Sequence, residues 1–89
     1  MNEYWIGTNV MGFDGTVLEV FGMTDVQRFH IYQLHGFLLS AKSFSIIGPG
    51  RGTPSLRLES EQDRGVANAV VSAVNEARAA RGWAPLGTG

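Results

Sequence analysis

The chain has 89 residues, 44% of them apolar and 17% charged, with a formal net charge of -1. That length suits one small domain, whose folding hides only roughly 60–65% of the chain's surface, and the balance excludes a disordered charged tail. Near-neutral charge argues against a nucleic-acid module, and a chain without Cys has no disulfide framework, Cys-ligated zinc site or thiol nucleophile.

At the start, Met1-Asn2-Glu3-Tyr4-Trp5 lacks the basic-then-apolar order of a signal peptide. The longest apolar runs, such as Phe37-Leu38-Leu39, are too short to cross a bilayer. A cytoplasmic chain is the expectation. Residues from about 3 to 60 read as strands and turns, because aromatic and β-branched residues recur in short runs broken by glycine. Asp14-Gly15 is the sharpest turn signal, since Asp-Gly tolerates the positive φ of a tight hairpin, and it separates residues 10–13 from residues 16–21. Residues 28–34 alternate and predict the next strand; residues 42–47 and 55–59 follow, joined by the loop Gly48-Pro49-Gly50-Arg51-Gly52-Thr53-Pro54. No connection is long enough for a helical crossover, so the strands form an antiparallel meander.

Counting in twos assigns the faces. Leu18, Val20, Phe29, Ile31, Phe44, Ile46, Leu56 and Leu58 point inward. Val17, Glu19, Phe21, Arg28, His30, Tyr32, Ile47 and Arg57 point outward. After the strands, Val66, Val70, Ala73, Val74 and Ala77 fall on one apolar stripe of a helix over about residues 63–81, roughly 28 Å long at 1.5 Å per residue. Arg64, Asn68, Ser72, Asn75 and Ala79 take the opposite side. Ser60-Glu61-Gln62-Asp63 supplies capping groups and early negative charge, Arg78 and Arg81 supply late positive charge, and Gly82 followed by Pro85 ends the helix. Residues 82–89 are a tail.

The chemistry-bearing residues assemble into no catalytic set. His30 and His35 fall on opposite faces of a continuing strand, so they read as sheet histidines and no metal site is expected. No Gly-x-Ser-x-Gly elbow surrounds any serine, and the carboxylates Glu59, Glu61 and Asp63 read as a solvated helix start. The glycine loop lacks the Gly-Lys-Ser/Thr ending of a P-loop and precedes a strand. The expectation is therefore a non-enzyme without cofactor.

An antiparallel meander closed by one amphipathic helix resembles the small bacterial pleckstrin-homology-like (PH-like) domains. The likeness lies in Phe13-Asp14-Gly15-Thr16-Val17-Leu18-Glu19-Val20, in Arg28-Phe29-His30-Ile31-Tyr32-Gln33-Leu34 and in the helix at 63–81. It implies a single mainly-β domain over residues 1–89: a partly open antiparallel barrel of five to seven strands, its end capped by the helix. Five or six strands can be counted against the family's usual seven. The basic cluster that lipid-binding members carry at the first hairpin is replaced by Asp14-Gly15.

Two functions follow as expectations. The outward Val17, Phe21, Tyr32 and Ile47 form a surface for a protein partner or a second copy of the chain, alongside any strand edge the open barrel leaves free. The alternative covers these residues with Tyr4-Trp5-Ile6 or with Trp83 and Leu86. The second function is binding of an anion or membrane headgroup by Arg51, Arg57 and Lys42. Scattered cations give no expectation of strong membrane binding.

Overall fold

The computed structural model describes residues 2–22, 25–49 and 53–89. Among these, seven strands precede one helix: β1 Asn2–Ile6, β2 Asn9–Phe13, β3 Val17–Phe21, β4 Val26–His30, β5 Gly36–Leu39, β6 Ser43–Ile47, β7 Ser55–Arg57 and α1 Glu61–Ala80. They form two antiparallel sheets, one of four strands in the order β1-β2-β3-β4 and one of three in the order β5-β6-β7. No strand ladder joins the sheets among the described residues, so the architecture is two sheets around one core and not a closed barrel.

Alternation makes that core. Ile6, Met11, Phe13, Leu18, Val20 and Phe29 enter from the four-stranded sheet; Phe37, Phe44, Ile46 and Leu56 enter from the other. Phe37 and Phe44 sit diagonally across the β5–β6 ladder and stack with ring centroids 5.6 Å apart. Helix α1 packs against β1 and contributes Ala67, Val70, Val71 and Val74. This buried stripe is centred one position beyond the sequence reading: Val66, Ala73 and Ala77 are only partly buried at its margins. The Ser60 side chain accepts from Asp63 N–H at the start of α1. At its end Gly82 takes φ +77°, while Trp83 N–H donates to Arg78 O and Gly82 N–H to Ala79 O, the paired bonds of a Schellman motif.

Two local expectations are corrected, and the Asp14-Gly15 hairpin forms where it is expected. The strand predicted over residues 28–34 ends at His30, because Gln33 N–H turns back to His30 O and Tyr32 N–H donates to His30 Nδ1. The sequence-predicted solvent face of α1 is not all solvated: Arg64 donates to Ser40 O and Ala41 O, and Asn75 is partly buried against the tail. The β2–β3 hairpin places only Gly15 at positive φ, +96°, while Asp14 serves as hydrogen-bond acceptor for Thr16 N–H and Val17 N–H at 2.8 Å each.

The tail folds back over the protein. Phe37 N–H donates to Gly87 O at 3.0 Å and Leu39 N–H to Thr88 O at 2.8 Å, so the tail occupies the edge of β5. Trp83 and Leu86 pack against the core, and Arg78 joins the tail to β4's end by donating to Ala84 O and Ile31 O.

Candidate functional site

The two sheets present different outer faces. On the three-stranded sheet the outward row Leu38–Ser45–Ser55 carries two serines, whose hydroxyls meet at 3.0 Å. The four-stranded sheet instead carries an apolar row. Trp5 pairs with Val10, Val10 with Phe21 and Phe21 with Val26, so a single register line crosses all four strands. Directly paired residues share a face, and strands about 4.8 Å apart make the line roughly 14 Å wide. Its centre, Val10 and Phe21, is half-buried by its neighbours; its ends stand open, with Trp5 55% and Val26 40% exposed.

Two residues along the strands lies a charged row, Glu3–Gly12–Glu19–Arg28. Arg28 Nε stands 3.6 Å from Glu19 Oε1, a cross-strand pair in which Arg28 remains largely exposed. Beyond it comes the pair Val17–His30. The His30 ring meets Tyr32 edge to face, centroids 4.4 Å apart, and Tyr32 is 61% exposed. The face therefore grades from apolar, near the β1–β2 turn, through charged to aromatic.

Of the residues assigned to partner binding, Val17 and Phe21 lie on this face, two rows apart. Tyr32 borders it from the turn after β4, not from a strand. Ile47 ends β6 in the other sheet. Tyr4-Trp5-Ile6 belongs to β1, and Trp83 and Leu86 pack on the core. Sequence reasoning missed Trp5, Val10 and Val26, whose common row exists only once the register is known.

The proposed anion ligands are not gathered as a cationic site. Arg51 lies outside the described residues. Arg57 is exposed with its Nε 3.7 Å from Glu59 Oε1. Lys42 lines an open groove of about 330 Å³ shared with Glu59, Glu61 and Arg64. Two carboxylates offset the two cations there, and Arg64 is engaged by backbone carbonyls. A second groove of about 340 Å³ runs between the β2–β3 hairpin and α1, lined by Phe13, Asp14, Ala73, Glu76 and Ala77. Its Asp14 carboxylate is held below the usual carboxylate range by the Val17 and Thr16 N–H donors, which favours a fixed anion over a proton carrier. Among the described residues no three His, Cys, Asp or Glu side chains gather as metal ligands, and no helix is long and apolar enough to cross a membrane.

Comparison of the chain with protein-family models, with curated proteins and with solved structures finds no match.

Proposed function

We propose that this protein is a non-catalytic interaction module of PH-like architecture, and that it binds a protein partner through the outer face of its four-stranded sheet. The apolar row Trp5–Val10–Phe21–Val26 carries the proposal. A domain in water gains nothing by holding a Trp more than half exposed at the head of a continuous apolar line, whereas covering such a line with a partner removes apolar surface from water at about 25 cal/mol per Å². The charged row beside it supplies the polar rim that orients a partner. Among the described residues, seven strands followed by one C-terminal helix agree with the count and order that the family resemblance implies, and this supports the architectural part of this reading. The carboxylates beside Lys42 and Arg57 weigh against the headgroup alternative.

Photo-cross-linking in the source cell tests the face. A photoreactive aromatic residue at position 26 should give defined protein adducts, including any of twice the chain's own mass. The same residue at Asn68, on the exposed side of α1, should give none. Equal labelling from both positions, or none from position 26, removes the proposal.

A further inference from the structure

Resting on that reading of the face, we propose that the partner is a second copy of this chain, stacked sheet to sheet across a two-fold axis running parallel to the strands. The two outer rows are self-complementary under that operation and carry the inference.

Such an axis reverses the strand order, so β1 of one copy faces β4 of the other and β2 faces β3. In the apolar row Trp5 then meets Val26 of the second copy, and Val10 meets Phe21. Each large aromatic group opposes a smaller β-branched one, the alternation that lets two faces interdigitate at the usual sheet separation of about 10 Å. In the charged row Glu3 meets Arg28 of the second copy, and Glu19 meets Gly12, which contributes no side chain. Every facing position of the charged row therefore sets opposite charges together or sets a charge against glycine. The axis also repeats each contact twice, as an isologous interface requires. Glu3 is exposed and Arg28 keeps most of its side chain in solvent, so both are available for the intermolecular pairs. Register across three separate ladders produces this symmetry of size and charge. The outer row of the three-stranded sheet, with its hydrogen-bonded serines, has no equivalent.

Charge exchange tests the arrangement on the purified chain by sedimentation velocity, with circular dichroism to verify folding. The wild type should show a concentration-dependent dimer. Glu3→Arg and Arg28→Glu should each weaken it at least tenfold, because each sets like charges together twice. Mixing the two variants should restore the dimer, since a Glu3→Arg copy facing an Arg28→Glu copy sets opposite charges together at both contacts. Because Arg28→Glu also faces Glu19 within its own sheet, an independent measurement guards against a folding defect: Glu3→Cys and Arg28→Cys chains, which contain no other thiol, should cross-link to each other with a short bismaleimide and not to themselves. A wild type that stays monomeric at high concentration, a mixture that stays monomeric, or self-linking by each Cys variant overturns the proposal. If self-association fails while position 26 still captures a different protein, the interaction reading stands and only the second copy falls. If both fail, both readings fall.

Discussion

Asn75 and Leu86 hold each other by two hydrogen bonds: Asn75 Nδ2 donates to Leu86 O at 3.0 Å, and Leu86 N–H donates to Asn75 Oδ1 at 2.8 Å. One amide side chain on α1 thus takes the place of a backbone partner for the tail, immediately before Gly87 and Thr88 reach the β5 edge. The edge would otherwise offer free donors to any extended chain. Asn75→Ala removes both bonds and leaves the partly buried Leu86 backbone groups without these partners. A loss of about 1–3 kcal/mol is expected. Hydrogen exchange gives the sharper readout: the amides of Phe37 and Leu39 should exchange much faster in the variant, while that of the central-strand residue Phe44 should track global stability. Unchanged protection at Phe37 and Leu39 would show that the tail holds the edge without Asn75.

Core positions are legible where a polar or charged outward residue, such as Glu19, Arg28, Ser45 or Arg57, anchors the two-residue count. Leu18, Val20, Phe29, Phe44, Ile46 and Leu56 lie inward in their strands as the two-residue period predicts, and Ile31 and Leu58, just past the ends of β4 and β7, are buried as well. The period is masked where both faces are apolar. In β1, Tyr4 and Ile6 turn toward the core while Trp5 points out; in β5, Phe37 and Leu39 turn inward while Leu38 points out. Neither Tyr4-Trp5-Ile6 nor Phe37-Leu38-Leu39 shows alternation in hydrophobicity, so the sequence pattern marks neither as a strand. The helix was legible in its caps but shifted in its stripe, because Ala and Val at neighbouring positions mark the centre of a face weakly. The candidate site was the least legible, since Trp5, Val10, Phe21 and Val26 become neighbours only through three hairpin registers.

Gly48 lies against the Cδ1–Cε1 edge of the Phe29 ring in the core. A Cβ built there would stand 2.6 Å from Phe29 Cδ1, and Phe29 is buried between the sheets. The ring cannot swing into solvent, so Gly48→Ala forces a shift in the packing and should cost about 1–3 kcal/mol, the usual range for overpacking. Trimming the ring should relieve the clash: Gly48→Ala combined with Phe29→Leu is expected to be less destabilised than the sum of the two single changes. Chemical denaturation of the four proteins gives that coupling. Strict additivity would mean that the clash is absorbed elsewhere.

Val70 is fully buried at the centre of the α1 contact with the sheets. Val70→Asp would place a carboxylate there with no partner among the apolar core residues. The cost is several kcal/mol, a large share of the roughly 5–15 kcal/mol that stabilises a domain of this kind. Val70→Ala, which deletes two methyl groups, should cost only roughly 2 kcal/mol. Thermal melts should rank wild type, Val70→Ala and Val70→Asp in that order, with the Asp variant largely unfolded at room temperature. A Val70→Asp midpoint equal to that of wild type would detach the helix from the fold.

The hairpin carboxylate sets a pH dependence. Asp14 titrates below its ordinary 3.8 in the folded chain, chiefly because Val17 N–H and then Thr16 N–H donate to the ionised form. A folded pKa lying below the unfolded one means that the unfolded chain binds the proton more readily. The stabilisation is therefore fully present above the unfolded value of about 3.9 and is lost as pH falls through the folded one. Asp14→Asn keeps an acceptor oxygen for the turn but removes the titration. Urea denaturation from about pH 5 to pH 2 should show a shallower acid-side decline for Asp14→Asn than for the wild type, and an NMR titration should place the Asp14 midpoint below 3.8. A midpoint at or above that value would mean that the two backbone donors do not hold the ionised carboxylate in solution.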